Sequence, residues 1–125
     1  MSKIKIDIWD REFDIAVVYE CYQGEEILES QKNAFDMFAD AANEIAKSLP
    51  AIIQYVRKTH NGNLEDEAID NIFKYVMPKN IFVPHSDKHH TVAIMCNYKF
   101  DAEHGIAVVF EKGKFKKVTS QDTVL

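Results

Sequence analysis

The chain has 125 residues, 46% of them apolar, and a formal net charge of −5. That length suits one domain, 1–125, with room for a real core, and the apolar content argues against disorder. No apolar run approaches the roughly 18 residues of a membrane span, and MSKIKIDIWD alternates instead of forming a signal peptide's continuous apolar stretch, so a cytoplasmic protein is expected.

KIKIDI places Ile4, Ile6 and Ile8 on one side, a strand pattern. WDRE interrupts it, and FDIAVVYECY alternates again through Phe13, Ile15, Val17, Tyr19 and Cys21, which predicts an antiparallel hairpin. QGEE reads as a second turn and ILES as a short third strand. From Ser30, a suitable N-cap, the period changes. Ala34, Phe35, Phe38, Ala41, Ala42, Ile45 and Leu49 form the stripe of an amphipathic helix. Pro50 is expected to end or kink it, with Ser48 capping a second helix through Ile52, Ile53 and Val56. HNGN, with Gly62 as a left-handed cap, stops that helix. LEDEAIDNIFKYV predicts a third helix, its apolar positions running from Leu64 to Val76 and Pro78 as its terminator. NIFVPH reads as a short strand or extended arm. TVAIMCNYKF, IAVVF and FKKV complete a β meander, the last two joined by the EKGK turn. Strands, then helices, then strands predict an α+β fold. Its antiparallel sheet comes from the N-terminal hairpin and the C-terminal meander, with the central helices on one face.

The charge is unevenly spread. Residues 10–70 carry fourteen acidic side chains against five basic ones, whereas residues 71–125 carry five against eight. The acidic half repels phosphate backbones, so no direct nucleic-acid binding is expected from it, and a basic protein partner suits it better. Asp36, Asp40 and Glu44 recur every four residues on one helix side, and Glu65, Asp66, Glu67 and Asp70 crowd the start of the next acidic helix. These seven are the candidate partner-binding residues. The Lys112, Lys114, Lys116 and Lys117 cluster around Phe115 reads as protection of an edge strand, although it could also touch a phosphate.

Two other groups bear on chemistry. Asp101, Glu103 and His104 precede Gly105 and an apolar run. A carboxylate beside an imidazole can orient a general base, but all three lie in one short corner, where Asp and Gly suit turn geometry better. HSDKHH offers His85, Asp87, His89 and His90, which could hold zinc or nickel, although the spacing matches no established site. Cys21 and Cys96 have no partner at zinc-finger spacing and read as buried, reduced thiols. No phosphate-binding Gly-rich loop, G-x-S-x-G, H-E-x-x-H or C-x-x-C is present.

FDAEHGIAVVFEKGKFKKVTSQD resembles a small bacterial domain family of unknown function in which a strand ends in Asp-x-Glu-His-Gly and a Gln-Asp lies near the end. YECYQGEEILESQKNAFDMF is similar to the strand, turn and helix of the same family. That family is similar to immunity proteins encoded beside polymorphic toxins, including contact-dependent growth inhibition systems. The resemblance implies a cofactor-free monomer that binds and neutralises a cognate toxin, a basic nuclease being the expected case, one to one. It carries over no catalytic and no metal residues, and a binding protein is expected rather than an enzyme. The alternatives are a metal-dependent enzyme using the His85–His90 loop with Asp101, Glu103 and His104, or a homo-oligomeric structural protein.

Overall fold

The computed structural model of the chain describes residues 2–20, 26, 29–39, 42–59, 72–84 and 90–121. Strands β1 (Ser2–Ile8) and β2 (Arg11–Tyr19) pair antiparallel in unbroken register from Ser2 with Val17 to Ile8 with Arg11. Trp9 and Asp10 between them have positive φ (51° and 68°), as a tight primed hairpin turn requires. A left-handed Trp is costly. Two contacts offset the cost: the indole is 93% buried, and its N–H donates to the Ser48 hydroxyl at 2.9 Å.

Helices α1 (Glu29–Ala39) and α2 (Ala42–Thr59) follow. In α1, Gln31, Ala34 and Phe38 are buried at the expected spacing, with Phe35 packed alongside. In α2, Ile45, Ser48, Ile52 and Val56 form the inward stripe. Pro50 does not end the helix: it sits exposed inside a continuous α2. Proline removes one backbone donor and normally costs about 3 kcal/mol in a helix. Here the same buried stripe continues on both sides of it, and packing outweighs local propensity. Ser48 is correspondingly no cap. Its hydroxyl lies mid-helix, donates to the Ile45 carbonyl and accepts from Trp9.

The predicted ILES strand is also corrected: Glu29 and Ser30 are already helical, while residues 27 and 28 lie outside the described residues. Of the predicted third helix, residues 64–71 lie outside them, as does the HNGN stop. Its C-terminal part is not α-helical. Ile72–Lys74 form one 3-10 turn, and Val76 begins β3 (Val76–Val83). Pro78 lies within that strand, beside a register shift between Pro78 and Asn80, where proline's missing N–H is tolerated. Phe73 of the turn packs on Trp9 and Phe13, with the Arg11 guanidinium over both phenylalanine rings.

Strands β4 (Thr91–Tyr98), β5 (Ile106–Glu111) and β6 (Lys114–Thr119) complete the meander. All six strands form one sheet in chain order. Every neighbouring pair is antiparallel except β2 and β3, which run parallel from Ala16 with Asn80 to Tyr19 with Val83. The protein is thus an α+β fold with two helices packed against a mostly antiparallel sheet. The main core lies between helices and sheet and holds Val92, Ile94, Cys96 and Tyr98 of β4, the four placed on one face by alternation. The opposite face of the central strands is buried too, through Phe82, Ala93, Met95, Ala107 and Val109. Central strands buried on both sides read as near-continuous apolar runs, which is why IAVVF does not alternate.

Buried Gln31 closes the parallel joint. Its side-chain amide donates to the carbonyls of Glu20 (2.8 Å) and Val83 (3.2 Å), where β2 and β3 end side by side. Gln31→Leu fills similar space but removes this donor from both carbonyls, of which Val83's still accepts the Glu20 N–H. The expected loss is about 1–3 kcal/mol in chemical denaturation, and a variant as stable as the parent would refute this role.

Candidate functional site

The Asp101–His104 corner is built by backbone geometry. The Asp101 N–H donates to the Tyr98 carbonyl at 3.2 Å, and Gly105 N–H donates to the Asp101 carbonyl at 2.9 Å. The Asp101 carboxylate accepts from the His104 backbone N–H at 3.2 Å, and both its oxygens lie 3.0 Å from His104 Nδ1. These bonds hold the Asp101 carboxyl below its usual pKa, the His104 side chain contributing most. Both side chains are a little under half exposed to solvent.

Gly105 has φ +63°, and a Cβ there would lie 2.5 Å from the Gln121 amide nitrogen and 2.8 Å from the Cys96 carbonyl. Gln121 lies across this glycine, donating its side-chain amide to the Cys96 carbonyl (2.9 Å) and its backbone N–H to the His104 carbonyl (3.2 Å). The Asp-x-Glu-His-Gly segment and the distant glutamine therefore form one structural unit, a corner clasped by the chain that follows β6. Glu103 is exposed on that corner. Among the described residues no three His, Cys, Asp or Glu side chains are grouped to hold a metal. His85, Asp87 and His89 lie outside the described residues. His90 lies within them, and its carbonyl accepts from the Lys112 N–H at 3.2 Å.

The acidic candidates separate. Asp36 is exposed on α1 and, after burial, is the second cause raising the Tyr19 pKa. Glu44 works within the fold: it accepts the Phe115 N–H at 3.0 Å and pairs with Lys47 at 2.6 Å. Lys47 and that backbone bond hold its carboxyl below the usual range, with Lys114 contributing less. Asp36 lies on α1 and Glu44 on α2. Asp40, Glu65, Asp66, Glu67 and Asp70 lie outside the described residues.

A concave surface lies where α2 meets β6. Ala51, Gln54, Tyr55 and Lys58 share one flank of α2 and face Phe115, Lys116, Lys117 and Val118 across a cleft of about 310 Å³. A second cleft of about 390 Å³ adjoins it through Phe115 and Lys116 and reaches Glu111, Lys112 and Lys114. The lysine-rich hairpin was visible in the sequence, but the helical wall opposite it was not. The i, i+3, i+4, i+7 spacing of Ala51, Gln54, Tyr55 and Lys58 was the available signal. The tip of this hairpin is held by close approach: Gly113 has φ +79°, and a Cβ there would lie 2.6 Å from the Met37 carbonyl of α1.

Residues 1–125 match the family described as Domain of unknown function (DUF6985). The chain belongs to that family. No curated protein and no solved structure matches it.

Two measurements check this geometry. Gly105→Ala must adopt a left-handed backbone and displace Gln121, so a loss of more than about 1 kcal/mol is expected in thermal or chemical denaturation. Cys96 is free and fully buried, and burial pushes its thiol well above its usual pKa. Because the buried thiol resists ionisation, folded stability is undiminished below roughly pH 8.5 and falls as pH rises above it, where the unfolded thiol ionises. In the native protein at pH 8, iodoacetamide labelling of Cys96 is expected to be slow and limited by unfolding. Peptide mapping after timed quenching reads it, and rapid labelling would contradict the burial.

Proposed function

We propose that this domain is a cytoplasmic immunity protein that neutralises a cognate toxin domain by one-to-one association, the toxin being a nuclease with a basic surface. The observation that carries the reading is the concentration of fourteen acidic against five basic side chains in residues 10–70. Part of that charge is displayed on the outer side of the helical layer, where Glu29 and Asp36 are exposed. Such a surface steers a basic partner and raises its association rate, and charge pairs desolvated in the complex then slow its release. The Asp-x-Glu-His-Gly resemblance points the same way. Asp36, Asp40, Glu65, Asp66, Glu67 and Asp70 are the proposed contacts, while Glu44 anchors the β5–β6 hairpin. Immunity of this kind works by covering a toxin's active or substrate-binding surface and needs no chemistry of its own.

The test is co-expression with a toxin domain encoded beside it, followed by size exclusion and a growth-rescue assay. A stable 1:1 complex and rescued growth are expected. The variant D36K/E65K/D66K/E67K should then slow association about tenfold or more at low ionic strength, the difference shrinking as salt is added. Unchanged association and salt dependence would remove the acidic residues from the interface. A neighbour that is harmless, or that does not bind, would remove the immunity reading itself.

A further inference from the structure

We infer that the cleft between α2 and β6, with the adjoining cleft on the β5–β6 hairpin, is a second binding site, one for an acidic polypeptide segment carrying an apolar side chain. Lys58, Lys112, Lys114, Lys116 and Lys117 line it and are all exposed. Among the described residues none of these five ammonium groups forms an ion pair, although the protein as a whole is acidic. Lys114 comes near enough to Glu44 to lower its pKa without pairing to it. Five lysines against Glu111 in the lining and Glu44 near Lys114 leave an excess of positive charge around these adjoining clefts among the described residues, and that excess attracts carboxylates.

The floor and walls select the ligand further. Ala51, Tyr55, Phe115 and Val118 supply apolar surface beside the lysines, which suits a side chain such as leucine between acidic residues. Backbone pairing is disfavoured, because β6 is a guarded edge. Its register shifts opposite Val109 and Phe110, leaving Lys116 as an extra residue, and Glu44 already accepts the Phe115 N–H. Recognition is therefore through side chains. A nucleic acid fits less well, since base stacking needs a free aromatic face. Phe115 packs edge-on against Phe110 at 5.9 Å, and Tyr55 leans on Tyr98 at 6.1 Å. The net charge of −5 also opposes a long phosphate backbone. This site uses none of the proposed toxin contacts and stands apart from that reading.

The test uses the full chain and three fluorescent probes: the peptide Glu-Glu-Leu-Glu-Glu-Leu-Glu, its Gln-for-Glu counterpart and a 12-nucleotide single-stranded DNA. Anisotropy at low salt should show the acidic peptide bound at least tenfold more tightly than either other probe, with affinity falling as salt rises. K58E/K116E/K117E should weaken that binding at least tenfold, and K58Q/K116Q/K117Q should fall between. Circular dichroism and Tm confirm that each variant is folded. Tighter binding of the DNA would overturn the proposal in favour of a nucleic-acid groove. No peptide binding, or binding that the lysine variants leave unchanged, would overturn it outright. Toxin association tested with the same lysine variants keeps the two readings separate, because failure here leaves the acidic contacts untouched.

Discussion

One helix joins the two ends of the sheet, and the rest of the architecture follows from that contact. Six strands about 4.8 Å apart place β1 and β6 roughly 24 Å from each other if the sheet is flat. Yet α2 packs against both edge strands. Ser48 receives the Trp9 indole N–H at the β1–β2 turn, and Glu44, one turn earlier in α2, receives the backbone N–H of Phe115 in β6. The sheet must therefore curve so that its edges approach the helix. This arrangement covers strand edges that would otherwise invite pairing with other chains. It also explains why a proline inside α2 is tolerated: the helix is held along its length by the sheet, and one lost backbone bond does not release it.

The single parallel joint sets where that helix can be. Antiparallel neighbours need only a tight turn, but β2 and β3 run the same way and so require a long crossover. Both helices lie in that crossover, on the face that buries Ile94, Cys96 and Ile106. Gln31 fastens the start of the crossover by satisfying the two carbonyls where the parallel strands end. A buried amide in a helix of otherwise apolar inward positions offsets its desolvation by donating to both carbonyls, of which Val83's also accepts the Glu20 N–H.

The same geometry sorts the charge. Acidic side chains reach solvent on the helical layer and the N-terminal hairpin, while the lysines gather at the hairpin between β5 and β6. The sheet edge on which those lysines stand meets the flank of α2, and the concave basic surface is a consequence of that meeting. The Asp101–His104 group belongs to a different category. Its carboxylate is turned onto the histidine that follows it, its glycine is shaped by the glutamine lying over it, and the whole is a clasp between β4, β5 and the chain after β6.

Residue pattern alone determined the two hairpins, the faces of β4 and the α+β order, because alternation and helical period are local properties of neighbouring side chains. Ile4, Ile6 and Ile8, or Val92, Ile94 and Cys96, say which way they face without reference to anything distant. Turn chemistry likewise marked Asp101 to Gly105 as a corner. Three matters were decided only by tertiary structure. Pro50 remained inside a helix because sheet packing on both sides exceeded its local cost. Residues 76–79 joined the strand already legible from Asn80 despite Pro78, because β2 and β4 offered edges on either side of β3, a fact about residues far away in sequence. The helical wall of the basic cleft depended on α2 lying along β6, which no window of sequence contains. Local sterics and period are written along the chain, whereas the choice between competing local structures is made by the burial that only the assembled fold supplies.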